Sequence, residues 1–221
     1  AYVPIDISGD FLAKASEALA AIMPGLDIIP LEGDFTHRLD LPRRIKSYPA
    51  LGFFPGSTIG NFVASKAVEL LRAIGGSLGG EALLLVGIDH VKPLDILIRA
   101  YDDAAGVTAR FNLNLLDRIN RELDGDIPID AFRHLALWNP THNRIEMHLK
   151  ADHAVRFSVA GTPFNVAAGE TIHTENSHKY SPEEARLLLR AGGWVPLADW
   201  TDDENLFGLY LARREGHSIQ D

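Results

Sequence analysis

The segment from Phe53 to Phe62, FFPGSTIGNF, constrains the fold more than any other part of the sequence. The apolar run Ala50 to Phe54 predicts the end of a buried strand, and Pro55 and Gly56 then interrupt it. The apolar residues behind this turn repeat at helical spacing: Val63, Ala67, Leu70, Leu71 and Ile74. A strand, a tight glycine turn and a helix in this order place the turn at the carboxyl edge of an open α/β sheet, where ligands bind.

Two interpretations of this turn remain open. Ser57 or Thr58 is expected to cap the helix with its hydroxyl, and an ordinary β–α turn explains the glycine and the serine equally well. Asn61 favours a ligand site because it is predicted one turn into the helix, where an amide side chain has low propensity. Its carbonyl and amino groups can bind an ammonium or a carboxylate group.

The composition excludes several classes of function. The 221 residues carry a net charge of −9, which argues against nucleic acid or an anionic membrane as a partner. There are no cysteines, so disulfides, thiol nucleophiles and thiolate metal sites are excluded. No apolar run approaches the roughly 18 residues of a membrane span. We therefore expect a monomeric cytoplasmic protein that acts on a small molecule.

The first part of the chain alternates strands with helices. The predicted elements are a strand over 2–7, a helix over 9–22, strands over 26–31 and 50–54, a helix over 61–74 that ends at Gly75-Gly76, and a strand over 82–88. This alternation predicts βαβ units and a parallel sheet. Because residues 2–7 are already a strand, we expect the chain to begin inside a domain.

The pattern changes after Asp89. Two helices, over 93–103 and 107–123, precede strand-like runs over 131–139, 143–150, 153–160 and 170–180. A helix that opens with Ser181-Pro182 and closes at Gly192-Gly193 then leads into a hairpin of 194–200 with 205–213. A helix followed by a strand pair is how the sheet of class I methyltransferases ends. On that template the Rossmann-like α/β core has strands two to seven in 1–90 and 181–221, and 91–180 is an inserted α+β substrate-binding domain.

Three polar points follow successive predicted strands. Asp6 can accept hydrogen bonds from both hydroxyls of a ribose. Asp34 can bind an adenine amino group, and Phe35 can stack on the adenine ring. The turn at Pro55 contains small residues that let a ligand approach the backbone. Taken alone, Asp6 is equally well explained as a helix-entry cap, and a turn beside a core phenylalanine explains Asp34 and Phe35 better. Together the three points predict an adenosyl site.

Candidate substrate residues lie in the insertion. Tyr101 can direct its hydroxyl at a substrate carboxylate, although a partly buried ring at a helix end is the plainer interpretation. Glu175 and Ser177 share one face of a strand, so both can bind one small heterocycle. A solvated carboxylate is the alternative for Glu175.

The nine histidines do not form a metal motif. His142, His148 and His153 are expected at the surface, and neither a metal nor a residue acting as acid or base is predicted. Asp89-His90 follows a predicted strand and has two interpretations, a pair that faces the ligand cleft and an ordinary loop pair, of which the loop pair is the default.

Four segments carry a specific resemblance to a known family: residues 2–8 (YVPIDIS), 33–35 (GDF), 54–62 (FPGSTIGNF) and 174–180 (TENSHKY). They resemble the histidine Nα-methyltransferases of ergothioneine biosynthesis, along nearly the whole chain. The family's glycine-rich first loop and its N-terminal substrate-binding tyrosine have no counterpart here.

The resemblance implies three methyl transfers from S-adenosylmethionine to the α-amino group of L-histidine, giving hercynine and S-adenosylhomocysteine. It implies that Asp6 holds the ribose, that Asp34 and Phe35 hold the adenine, and that Pro55 also lines the cofactor site. It further assigns two substrate groups: Asn61, Tyr101 and the Gly56 backbone at the amino-acid end, and Glu175 and Ser177 at the imidazole. The alternatives are a related methyltransferase for another amine and a non-catalytic adenosyl-binding module.

Overall fold

The computed structural model describes residues 1–216. The helices are α1 (Gly9–Ile22), α2 (Ala64–Leu78), α3 (Leu94–Tyr101), α4 (Val107–Glu122) and α5 (Pro182–Ala191). The strands are β1 (Ile5–Asp6), β2 (Leu31–Glu32), β3 (Leu51–Phe54), β4 (Leu83–Asp89), β5 (Phe132–Asn139), β6 (Arg144–Ala151), β7 (Val155–Val159), β8 (Thr162–Val166), β9 (Thr171–His178), β10 (Trp194–Thr201) and β11 (Phe207–Arg214). None of the helices in residues 1–216 combines the length and the hydropathy that a membrane span requires.

The chain forms two compact units. Unit 1 comprises residues 1–58, 63–88 and the part from Ser181 onward, and unit 2 comprises residues 59–62 and 89–180. In unit 1, β1 pairs in parallel with β2, and a second sheet has the order β10-β11-β4-β3. The parallel pairing of β3 with β4 confirms the βαβ interpretation of the sequence.

The strand before the glycine turn was expected to be buried, and this expectation is wrong. Within the described residues β3 pairs only with β4, so it forms an edge of the sheet. Leu51 and Phe53 are 57% and 63% exposed, whereas Leu84, Val86 and Ile88 of β4 are fully buried. The strands β1 and β2 are also much shorter than predicted, and only a bridge between Tyr2 and Ile28 extends their pairing.

The helix after the turn also starts and ends later than predicted. Residues Thr58–Asn61 form a 3-10 turn, and α2 begins at Ala64 without a side-chain cap, so the predicted caps from Ser57 and Thr58 are wrong. Asn61 therefore precedes the helix. At the other end Gly75 and Gly76 lie inside α2. A methyl group on Gly75 would be 3.2 Å from Arg214 Nε, so close packing explains this glycine, and Gly79 at φ +96° ends the helix.

Local signals placed α5 correctly. The Ser181 side chain accepts a hydrogen bond from the Glu184 backbone, and the Glu184 carboxylate accepts one from the Ser181 backbone, which completes a capping box. Pro182 occupies the first turn, and Gly192 follows the last residue. Trp194, two residues after Gly192, is 1% exposed and donates its indole N–H to the Leu71 carbonyl at 2.9 Å.

Unit 2 contains an antiparallel sheet in the order β5-β6-β9, a β7-β8 hairpin and the helices α3 and α4. The register between β6 and β9 shifts between Met147 and His148, which marks a bulge. Two apolar clusters fill the unit, one around Leu116, Phe132 and Leu149 and one around Leu97, Ile145 and Met147. The strand β8 was not predicted from the sequence.

Candidate functional site

Unit 2 contains a group of hydrogen-bonded polar side chains that are buried or partly buried. The Tyr101 hydroxyl is 2.7 Å from Ser177 Oγ, so the two predicted substrate residues share a hydrogen bond. Lys179 Nζ donates to both oxygens at 2.7 Å and pairs with Asp89 Oδ2 at 2.9 Å. Lys179 is 1% exposed, and its ammonium also lies 4.5 Å from the Tyr101 ring centroid. We name Tyr101, Ser177, Lys179 and Asp89 the lysine cluster.

Sequence reasoning missed two members of this cluster. A lone lysine after a strand is normally solvated, and Asp89 was interpreted as part of a loop pair. The usable signal was the spacing of Glu175, Ser177 and Lys179, which alternate along one strand and its extension.

Glu175 is the acidic residue on the same face as the cluster. It precedes Ser177 by two residues on β9, opposite Met147 on β6. Its carboxyl group is half-buried, and this burial raises the pKa above its ordinary value. A carboxylate with little solvation is a strong acceptor for a ligand N–H group.

Residues 59–62 reach β9 through a buried hydrogen bond. His178 Nδ1 is 2.8 Å from the Gly60 carbonyl, which can only accept, so Nδ1 carries the proton. Burial lowers the pKa of His178 and favours the neutral ring. Asn61, which follows Gly60, is exposed. The bond therefore holds the segment with Asn61 beside the end of the strand that carries Glu175 and Ser177.

The predicted cofactor residues lie in unit 1, where they also have local roles. Asp6 Oδ1 accepts from the Ser8 backbone at 2.8 Å at the start of α1. Asp34 Oδ1 accepts from the Thr36 backbone and hydroxyl, which lower the Asp34 pKa most, and His37 contacts the other oxygen. Phe35 packs edge-on against Phe54 with centroids 5.6 Å apart. A carboxylate offers about four lone-pair sites, so both aspartates retain acceptor capacity for a ligand.

The turn after β3 has an unusual backbone. Gly56 and Ser57 have φ values of +72° and +56°, and both belong to the left-handed region. Pro55 and Gly56 are exposed, whereas Ser57 is 8% exposed. Consecutive left-handed residues form a tight reversal that leaves the backbone of Gly56 accessible to a ligand.

We expect Gly56→Ala to lower the free energy of unfolding by about 1 kcal/mol through backbone strain alone, since nothing lies within 4 Å of the added methyl group. Gly80→Ala is the matched control, because Gly80 also has open space around it but lacks a positive φ. Urea titration of both variants measures the difference. Equal stability of the two variants would contradict the strain argument.

His148 was expected at the surface, and this is wrong. It is 8% exposed and stacks on His173 of β9 with centroids 4.6 Å apart. Its Nε2 lies 3.3 Å from Glu146 Oε2, and the ligand atoms of Glu146, His148 and His173 all lie within 4.8 Å of one another. Arg144 also binds Glu146 Oε1 at 2.6 Å. Arg144, Glu146 and His148 thus form an ion-pair network, and the ligand atoms of Glu146, His148 and His173 are close enough together to hold a metal ion.

The network predicts acid sensitivity. Burial alone would raise the Glu146 pKa, but hydrogen bonds from Arg144, Asn139 and His148 outweigh it and lower the pKa to about 2. A carboxyl group whose pKa is lower in the folded protein stabilises the fold at pH values above its ordinary pKa of 4.5. This contribution disappears as the pH falls toward 2. We expect wild type to lose about 2–3 kcal/mol of unfolding free energy over this range that Glu146→Gln does not lose. Urea titrations of both proteins at several pH values test this. Parallel pH curves would contradict it.

Comparison with known proteins decides the family. The model of a histidine-specific, S-adenosylmethionine-dependent methyltransferase family matches residues 1–214. The chain belongs to this family. It is 41% identical over 215 residues to a histidine N-alpha-methyltransferase of Mycolicibacterium smegmatis and 40% identical over 216 residues to that of Mycobacterium tuberculosis. Each match covers 96% of this chain and 66% of the relative, so the chain spans slightly less than two thirds of their length.

More distant relatives agree with this family. An ergothioneine biosynthesis protein 1 of Neurospora crassa is 29% identical over 179 residues, which is 74% of this chain and 18% of that protein. The crystal structure of an S-adenosylmethionine-dependent methyltransferase from Clostridium acetobutylicum superposes with a TM-score of 0.53 at 13% identity, covering 97% of this chain and 75% of the other. At this identity the match supports the fold alone, and it confirms the predicted α/β methyltransferase fold.

Proposed function

We propose that this histidine-specific methyltransferase transfers methyl groups from S-adenosylmethionine to the α-amino group of L-histidine. Three transfers would give hercynine, and we propose that this step belongs to ergothioneine biosynthesis, since two relatives are named ergothioneine biosynthesis protein 1. The observation that carries the proposal is 41% identity, over 96% of this chain, to a histidine N-alpha-methyltransferase. The site chemistry of both units supports it.

The residues of unit 1 fit an adenosyl group. Asp6 offers acceptor oxygens for the ribose hydroxyls, and the exposed carboxylate of Asp34 can accept from the adenine amino group. Phe35 provides an aromatic face, and Gly56 leaves its backbone accessible beside Pro55. When bound, S-adenosylmethionine supplies an already activated methyl group.

The residues of unit 2 suit the two ends of histidine. Glu175 accepts from an imidazole N–H, while the hydrogen-bonded hydroxyls of Ser177 and Tyr101 offer a donor. The resemblance implied that Tyr101 binds the amino-acid end, and its 2.7 Å contact with Ser177 leads us to propose the imidazole end instead. Asn61 would bind the amino-acid end. We propose unit 2 as the substrate-binding domain, with the terminal helix and hairpin of 181–221 completing the core.

The chemistry requires positioning more than acid–base catalysis. The amine must be neutral and in line with the methyl carbon, and a well-oriented reaction gains rate from geometry alone. Each transfer removes an N–H donor from the amine. Binding through the imidazole and the carboxylate therefore keeps the substrate in place while its nitrogen changes.

Mass spectrometry after incubation with L-histidine and S-adenosylmethionine tests the proposal. We expect mono-, di- and trimethylated histidine in succession, together with S-adenosylhomocysteine. Methylation of other amines in preference to histidine would identify the rival methyltransferase. Cofactor binding without any methylated product would instead favour the non-catalytic module.

A further inference from the structure

We propose that Lys179 is a positioning residue that makes Tyr101 and Ser177 present one hydroxyl proton to the acceptor nitrogen of the substrate imidazole. The inference rests on the proposed function and extends it to a residue that touches no substrate. It follows from counting protons in the lysine cluster.

The lysine uses all of its protons inside the cluster. An ammonium group has three N–H donors and no acceptor. Lys179 Nζ directs them at Tyr101 Oη, Ser177 Oγ and Asp89 Oδ2, at 2.7, 2.7 and 2.9 Å. Both hydroxyl oxygens therefore accept from the lysine.

The two hydroxyls then have one proton to spare. Their oxygens are 2.7 Å apart, so one O–H donates to the other oxygen. If Tyr101 donates to Ser177, the serine proton is left over, and in the reverse arrangement the tyrosine proton is left over. Within residues 1–216 no further hydrogen-bond acceptor takes up this second proton. In either case the pair offers an O–H donor next to a positive charge.

The remaining contacts keep the lysine in this role. Its side chain is 1% exposed, so it cannot exchange partners with solvent. Asp89 balances its charge, and Lys92 binds the other Asp89 oxygen at 2.5 Å, which fixes that carboxylate. A buried ammonium held in this way favours a ligand acceptor at the Tyr101–Ser177 pair and disfavours a second N–H donor.

Glu175 and the Tyr101–Ser177 pair therefore require opposite hydrogen-bonding groups on one ring, a donor for Glu175 and an acceptor for the pair. Glu175 accepts and lies on the same face of β9 as Ser177, so the site matches a ring with one N–H and one unprotonated nitrogen. Neutral imidazole has both. Pyrrole has the N–H but carries carbon in place of the acceptor nitrogen.

Calorimetry with histidine and two analogues tests the inference. Pyrrol-2-ylalanine and pyrrol-3-ylalanine each keep one ring N–H, in the two possible positions, and lack the second nitrogen. We expect wild type to bind histidine about 10- to 100-fold more tightly than the better analogue. Lys179→Met should reduce this ratio to about threefold or less, because the hydroxyls become free to reorient.

Tyr101→Phe is the second variant, and it keeps the proposal testable if Lys179→Met fails to fold. In Tyr101→Phe the lysine still donates to Ser177, so the serine proton still points outward and the ratio should stay near the wild-type value. A merely structural lysine would weaken binding of histidine and analogue equally and leave the ratio unchanged, which would overturn the inference. If Tyr101→Phe reduced the ratio of histidine to analogue affinity as Lys179→Met is expected to do, the inference would be overturned as well. If wild type does not bind histidine at all, the proposed function itself fails.

Discussion

Glu175→Ala is expected to lower kcat/KM for histidine by about 100-fold, the largest functional effect of any single substitution considered. The substrate N–H would lose a charged acceptor in a half-buried site, where water replaces it poorly. Glu175→Gln should lose only about 10-fold, because its amide carbonyl still accepts a weaker hydrogen bond. Steady-state methylation assays of the purified variants measure both values.

Glu122→Gln is the matched control for these variants. Glu122 also belongs to unit 2, but it is an exposed helix residue paired with Arg118. We expect no change in kcat/KM and no measurable change in stability. The affinity of Glu175→Ala for S-adenosylhomocysteine should also equal that of wild type, because the residues proposed for the adenosyl group lie in unit 1. Full histidine turnover by Glu175→Ala would refute the imidazole-binding role.

Trp194→Ala is expected to cost about 3–5 kcal/mol of unfolding free energy, the largest effect on stability. Its side chain is 1% exposed, and the substitution also leaves the Leu71 carbonyl without the indole donor. Trp200 provides a control on the same strand, since it is 53% exposed. Trp200→Ala should cost less than about 1 kcal/mol.

Urea unfolding followed by circular dichroism compares the two tryptophan variants without relying on tryptophan fluorescence. A smaller loss for Trp194→Ala than for Trp200→Ala would contradict the assigned packing of β10 against α2. A loss confined to one of two separate transitions would show that the two units unfold independently.

Elements governed by local signals were predictable from the sequence. The bounds of α1 agree with the predicted 9–22, and the capping box at Ser181 set the start of α5. The hairpin of β10 with β11 follows from two apolar runs joined by a polar turn. The family signature supplied the candidate residues, of which Tyr101 and Ser177 are directly bonded.

The errors come from long-range packing. Gly75 was expected to end α2, yet the glycine serves close contact with Trp194 and Arg214, which are distant in the sequence. His148 was assigned to a solvent-exposed face because polar and apolar residues alternate along its strand. It is buried instead, and its backbone carbonyl accepts a hydrogen bond from Asn112 of α4. Lys179 became recognisable only when β9, α3 and Asp89 were seen together. Such burial depends on which elements meet, and periodicity along one element does not report it.

The division of the chain has a practical consequence for protein engineering. A module excised as residues 89–180 would leave Ile59–Phe62 behind, although these four residues belong to the same compact unit. His178 would lose the Gly60 carbonyl, and the graft would lack Asn61. A chimera that aims to exchange specificity between such enzymes therefore has to transplant two separate stretches of the gene.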